Sequence, residues 1–185
     1  IISVSVYGLP PNYKEILKIC RENKLYLIED NAECFLGKYK NKTVGCFGDF
    51  SAFSFQASKH MTCGNGGILC CNNIDLADKA RKISNLGYTT VSAKKMLIKK
   101  EEIQSPSFKR HSLLGYNYRM SEINAAVALA QLERLDELVN IRKQSAKIFL
   151  EAVRDFDLFT PQSVPKNYEC AYWATSLILN TNNPQ

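Results

Sequence analysis

Short apolar runs, each broken within a few residues by Gly, Pro or a polar cluster, set the fold class of this chain. Ile1 to Val6 is a β-branched run ended by Gly8, Pro10 and Pro11, which predicts a strand followed by a turn. From Tyr13 to Asn23 the apolar residues Ile16, Leu17 and Cys20 fall on one helical face. Leu25 to Ile28 is a second apolar run and opens into the polar cluster Glu29-Asp30-Asn31. Phe50 to Phe55 and Gly67 to Cys71 predict two more strands, and Asp75 begins a helix with Leu76, Ala80 and Ile83 along one side. Strand, helix, strand, loop, strand, strand, helix is the order of an α/β sheet covered by helices. Runs that are apolar on both faces predict mainly parallel pairing.

Further along, residues 88–112 have weak periodicity and predict a long, mobile loop. Ser121 predicts the cap of a helix that continues to about Asp155 without Gly or Pro, striped by Leu129, Leu132, Leu135, Val139 and Ile141. A helix of that length predicts a connection between two domains. On this reading residues 1–155 are part of a large domain, and 156–185 hold a linker, marked by Pro161 and Pro165, and the start of a small C-terminal domain. Its first strand would be Ala171 to Leu179, with Tyr172 and Trp173 packed on its sheet. The opening in mid-strand and the Asn-Thr-Asn-Asn-Pro-Gln end predict a piece of a longer protein, with N- and C-terminal parts missing.

Composition narrows the function classes. With 45% hydrophobic and 23% charged residues among 185, the chain reads as a soluble globular protein. No apolar stretch approaches the roughly 18–20 residues that cross a bilayer, so no membrane span is expected. IISVSVYG lacks a basic leading region and reads as a strand, not a signal peptide. The net charge of +6 is spread along the chain except between Lys94 and Arg110. Glu101 and Glu102 interrupt that stretch and no aromatic platform interleaves it, so a solvated loop fits better than a nucleic-acid surface; contact with an anionic substrate is the other reading. The seven cysteines include no CxxC pair. Cys34, Cys46, Cys63, Cys70, Cys71 and Cys170 sit mostly in apolar runs, which predicts buried thiols in a reducing cytoplasm. His60 and His111 are too few for a metal site, and no GxGxxG or GxxxxGK[ST] loop is present.

Ligands of open α/β sheets sit at the carboxyl ends of the strands. There this chain places Asp30, after the run Leu25–Ile28, and Ser54 with Lys59, after the run from Phe50. The stretches IEDNAECFLG, VGCFGDFSAFSFQASKHMTCGNGG and LLGYNYRMSEINAAVALAQLERLDE, in this order, resemble the DegT/DnrJ/EryC1/StrS family of sugar aminotransferases, which depend on pyridoxal phosphate (PLP). The resemblance covers nearly the whole chain and is most specific in the middle stretch. It implies the aspartate-aminotransferase-like fold (PLP fold type I), and homodimers with active sites at the interface.

The same resemblance implies residue roles. Lys59 matches the Schiff-base lysine, whose freed amine also moves a proton. Asp30 matches the acid that keeps the pyridine nitrogen protonated, and Ala32 a small residue against one face of the ring. Ser54 matches a hydroxyl on the cofactor phosphate, and Asn117 a residue reaching the phosphate of the neighbouring subunit's PLP. Arg119 would assist there or brace its loop. Gly64, Gly66 and Gly67 suit a close-packed turn after the lysine. Two positions depart from the family. Glu33 stands near the cofactor's phenolic oxygen, where many relatives have Gln or His, so its carboxyl must be protonated, paired with a cation or turned away. Asn65 stands where the family often has Glu.

The activity implied is transfer of an amino group, commonly from glutamate, to a nucleotide-linked keto-sugar, in the cytoplasm, with no nucleic-acid or membrane partner. The alternatives are a sugar dehydratase of the same family, and a non-catalytic regulatory protein on this fold. Dehydratases typically replace the lysine by His, and the GNGG turn aligns Lys59, not His60, with that position; retention of Asp30, Ser54, Lys59 and Asn117 opposes the regulator.

Overall fold

The computed structural model describes residues 1–94 and 98–180, so Lys95 of the basic stretch and the terminal Thr-Asn-Asn-Pro-Gln lie outside the described residues. The chain forms two compact units, one from Ile1–Leu69 with the chain from Glu122 onward, the other from Cys70 to Ser121. In chain order the strands are β1 (Ile2–Val4), β2 (Ile28–Asp30), β3 (Lys38–Tyr39), β4 (Lys42–Thr43), β5 (Phe50–Ser54), β6 (Gly67–Cys70), β7 (Phe159–Pro161), β8 (Tyr168–Glu169) and β9 (Leu177–Leu179). The helices are α1 (Tyr13–Glu22), α2 (Ile74–Ser84), α3 (Lys100–Gln104), α4 (Glu122–Leu132) and α5 (Leu135–Ala152).

The main sheet has the order β1-β2-β5-β6, and both β1–β2 and β2–β5 are parallel, as the apolar runs predict. Asp30 lies opposite Val4 on one side and Ala52 on the other. α1 forms where its apolar period places it. It buries Tyr13 and Cys20 one face apart by seven residues, with Ile16 and Leu17 between them, against Leu27, Cys34, Tyr39, Val44 and Ala171. The Tyr13 ring stacks on Phe47 at 4.0 Å and meets Tyr39 edge-on.

Several elements differ from the sequence expectations. β2 starts at Ile28 because Leu25 and Tyr26 are exposed and only Leu27 turns into the core. A small antiparallel sheet, β4-β3-β8, is built from strands of two residues, too short to carry a readable period. The helix expected to run from Ser121 to about Asp155 is two helices. Arg134 leaves helical geometry between them (φ −107°, ψ 8°) and its guanidinium takes both oxygens of Glu137 at 2.9 and 3.0 Å. The expected strand Ala171–Leu179 shrinks to β9, paired with β7, because Tyr172 adopts a left-handed backbone (φ 51°) that no strand accepts. No disulfide forms among the described residues, but Cys46 and Cys70 are exposed, not buried.

In the second unit Asn73 caps α2, its side chain accepting from the Asp75 and Leu76 amides. The stretch expected to be one loop contains α3 and is tied back to α2: Asp78 accepts from the Ser92 hydroxyl and the Ala93 amide and pairs with Lys82. Those contacts hold the Asp78 carboxyl down at about 2. The Tyr116 and Tyr118 backbone amides donate to the carbonyls of Ile83 and Ser84, fixing the segment around Asn117 against the end of α2. Gly87 and Gly115 make that approach possible, since a Cβ on Gly115 would fall 2.2 Å from the Gly87 nitrogen.

Candidate active site

Strand alternation sorts the polar residues at the carboxyl edge of the sheet. Asp30 and Ala52 are register partners and Ser54 follows Ala52 by two, so Asp30 and Ser54 face the same side. Glu29, Asn31 and Ser51 face the other. Asp30 Oδ1 accepts the Ala32 amide at 3.1 Å, an Asx-type turn that ends the strand, and the carboxylate makes no ion pair among the described residues. Ser54 Oγ accepts the Gln56 amide at 3.3 Å, and the Gln56 carbonyl accepts the Lys59 amide at 3.0 Å. Thus Ser54 and Lys59 share one compact turn after β5.

The Lys59 side chain is mostly covered. Its Nζ lies 3.6 Å from Glu33 Oε1 and 4.6 Å from the centre of the Trp173 ring. Glu33 Oε2 accepts the Tyr7 amide at 2.9 Å, and the Tyr7 ring lies parallel to Trp173. Glu33 is thus paired with a cation, the Lys59 ammonium. The backbone on either side is pinned: Arg142 donates to the Ser58 and Lys59 carbonyls, and Trp173 Nε1 donates to Ser58 O. His60 points the other way, into the core. Its Nε2–H donates to Ala171 O at 2.9 Å, its Nδ1 meets no partner among the described residues, and burial pushes its pKa down to about 4. A neutral, enclosed imidazole fits a structural role.

The sequence reading missed Glu29 and Asn31, both without exposed surface. Glu29 accepts from the Tyr13 hydroxyl, Asn31 Nδ2 and the amides of Gly45, Phe47 and Gly48. Asn31 also accepts from Ser5 and donates to Ser51, joining β2 to its two neighbours. Period two was the available signal, because in Glu29-Asp30-Asn31 the outer residues must share a face opposite Asp30. Arg142 and Trp173 were missed too. Arg142 sits three residues after Val139 and four before Ala146, both buried, so a cation interrupts an apolar stripe.

Asp30, Ala32, Glu33, Ser54 and Lys59 are therefore together in the first unit. Asn117 belongs to the second, where it is exposed and bridges to Asn85, whose side-chain oxygen accepts from Arg119 at 3.0 Å. A carboxylate, a hydroxyl and an amine at the ends of two adjacent parallel strands match a cationic ring nitrogen, a phosphate and a carbonyl. That donor set fits PLP.

Comparison with known proteins points the same way. The model of the DegT/DnrJ/EryC1/StrS aminotransferase family matches residues 1–185. A GDP-perosamine synthase of Escherichia coli O157:H7 is 33% identical over 98% of the chain, which spans 45% of that relative's length. Among solved structures, a DegT DnrJ EryC1 StrS aminotransferase from Brucella abortus superposes with a TM-score of 0.78 at 29% identity, over 96% of this chain and 43% of its own. An E. coli GDP-4-keto-6-deoxy-D-mannose-3-dehydratase with bound hydrated PLP reaches 0.85 at 27% identity, over 98% of this chain and 47% of its own.

Proposed function

This chain belongs to the DegT/DnrJ/EryC1/StrS aminotransferase family, and from that premise we propose that it serves a PLP-dependent transfer of an amino group to a nucleotide-linked keto-sugar. Glutamate is the donor proposed. The observation that carries the reading is the placement of Asp30, Ser54 and Lys59 at the ends of β2 and β5. When bound, PLP supplies an electron sink for the charge left as a proton departs from the carbon next to nitrogen.

The chain's own residues do the rest. Asp30, whose Oδ1 accepts the Ala32 amide, would keep the ring nitrogen protonated through an ion pair, and Ala32 would pack against the ring. Ser54 Oγ and, from a neighbouring subunit of a homodimer, Asn117 would hold the phosphate. Lys59 Nζ would hold the cofactor's carbonyl group and, when free, would take up and return a proton at the carbon next to nitrogen. Glu33 and Trp173 hold that ammonium while it waits. Small, water-borne substrates and a cytoplasmic setting go with this reading.

Dehydration is the second reading, and one observation weighs against it. The imidazole of His60 is buried and engaged with Ala171, and the Lys59 amine beside it is the one proposed to bind the cofactor. To test the proposal, the protein carrying this chain is loaded with PLP, reduced with borohydride and digested. A pyridoxyl group on Lys59 is expected, and on another lysine it would overturn the site. Incubation with glutamate and keto-sugar nucleotides should give an amino-sugar by mass; loss of a hydroxyl without gain of nitrogen would favour the dehydratase.

A further inference from the structure

Arg142 is half-buried in the apolar stripe of α5 and pairs with no carboxylate among the described residues. It spends its donors on main-chain carbonyls instead. Nη1 donates to Trp173 O at 2.8 Å, and Nη2 to Ser58 O at 2.9 Å and Lys59 O at 3.1 Å. A planar fork suits this job, since one rigid group reaches acceptors on two separated segments at once. Both carbonyls that flank the Lys59 α-carbon are thereby fixed from beneath. The second segment closes the ring: Trp173 Nε1 donates to Ser58 O at 3.0 Å, while its indole faces the Lys59 ammonium. Half-burying a cation among neutral partners costs desolvation, and burial pushes the guanidinium's pKa down. An apolar residue between Val139 and Ala146 would fill the stripe without that cost.

We propose that Arg142 is a positioning residue for the Lys59 amine, locking the Ser58–Lys59 backbone and the Trp173 indole into one frame. The proposal rests on the reading that Lys59 binds PLP. Misplacing a reacting amine by about an ångström costs up to ~100-fold in rate, so loss of the fork shows in the attachment step.

The experiment uses Arg142→Ala and Arg142→Lys in the protein carrying this chain, following PLP attachment by absorbance and mapping the borohydride-reduced product. Arg142→Ala is expected to slow attachment at Lys59 by about tenfold or more. Millimolar ethylguanidinium should restore the rate well beyond what ethylammonium does, a distinction that a loss of packing alone does not produce. Arg142→Lys, able to serve one carbonyl at a time, should lie between. Attachment at the wild-type rate in folded Arg142→Ala overturns the proposal, as does equal rescue by the two cations. If Arg142→Ala does not fold, Arg142→Lys decides: a slowed, folded protein supports positioning, and a wild-type rate overturns it. Failure of both to fold assigns Arg142 to the fold and overturns it as well. Should wild-type protein carry no pyridoxyl on Lys59, the reading of the site fails, independently of what the Arg142 variants do.

Discussion

Glu33 places a carboxylate 3.6 Å from Lys59 Nζ, in a site proposed to take an anionic cofactor. Substitution Glu33→Gln keeps an oxygen for the Tyr7 amide and removes the charge. PLP should then bind about three- to tenfold tighter, measured by fluorescence titration, because a like charge has left the site. Unchanged affinity would remove Glu33 from contact with the cofactor. His60 gives a pH dependence whose sign follows from its burial. Its folded-state pKa, about 4, lies below the ordinary value of 6.5, so the unfolded chain binds the proton more readily between those limits. The His60 contribution is therefore complete above pH 6.5 and is lost as the pH falls through 6.5 toward 4, up to about 3 kcal/mol. Urea midpoints at pH 7 and pH 5 should differ more in the wild type than in His60→Gln; an equal difference would refute the assignment. The positions of Asp30, Ser54 and Lys59 at or after strand ends were legible because apolar runs announce those ends locally, whereas the roles proposed for them come from the family resemblance. Trp173 and Arg142 were not legible, since their partners at Ser58 and Lys59 lie far away in sequence and leave no local pattern.

β2 is three residues long, yet it carries both the candidate cofactor acid and, among the described residues of the first unit, the most heavily hydrogen-bonded carboxylate. A fully buried Glu29 is tolerated because every approach to it is a donor. In Glu29→Gln an amide NH₂ must face the Gly45, Phe47 or Gly48 amide, leaving donors opposed. We expect a loss of about 3 kcal/mol or more, read as a lower urea midpoint at unchanged slope. Tyr13→Phe removes one donor and should cost about 1.5–3 kcal/mol. A cost below 1 kcal/mol for Glu29→Gln would mean that the loop carrying Gly45 to Gly48 relaxes around the substitution. The elements that sequence patterning placed well, α1 and β5, have a face whose period outlasts a turn. Those it misjudged lack one. β3, β4 and β8 are two residues each, and the α4–α5 break carries neither Gly nor Pro. There a side-chain fork from Arg134 to Glu137 opens the second helix, an interaction that a hydrophobic period does not encode.

The phosphate role proposed for Asn117 belongs to the scale of the whole molecule. Asn117 is exposed, and the carbonyls of Ile83 and Ser84 hold its neighbours Tyr116 and Tyr118, so its segment is a fixed and accessible platform within its own unit. We propose that it serves the Lys59 site of a partner subunit in a two-fold homodimer. The test mixes Lys59→Ala protein with Asn117→Ala protein under conditions of subunit exchange. If Asn117 acts across the interface, a mixed dimer has one site with both lesions and one with neither. Random exchange of equal amounts should then restore about a quarter of wild-type turnover, since half the dimers are mixed and each has one sound site. If Asn117 acts within its own chain, every site of a mixed dimer carries one lesion and no activity returns. Asn117→Ala alone must be severely impaired for this reading to hold, because a phosphate that loses a charge-assisted partner binds more weakly by about 1.5–3 kcal/mol, or roughly ten- to a hundredfold. A nearly normal Asn117→Ala enzyme would exclude the phosphate role before any mixing is done.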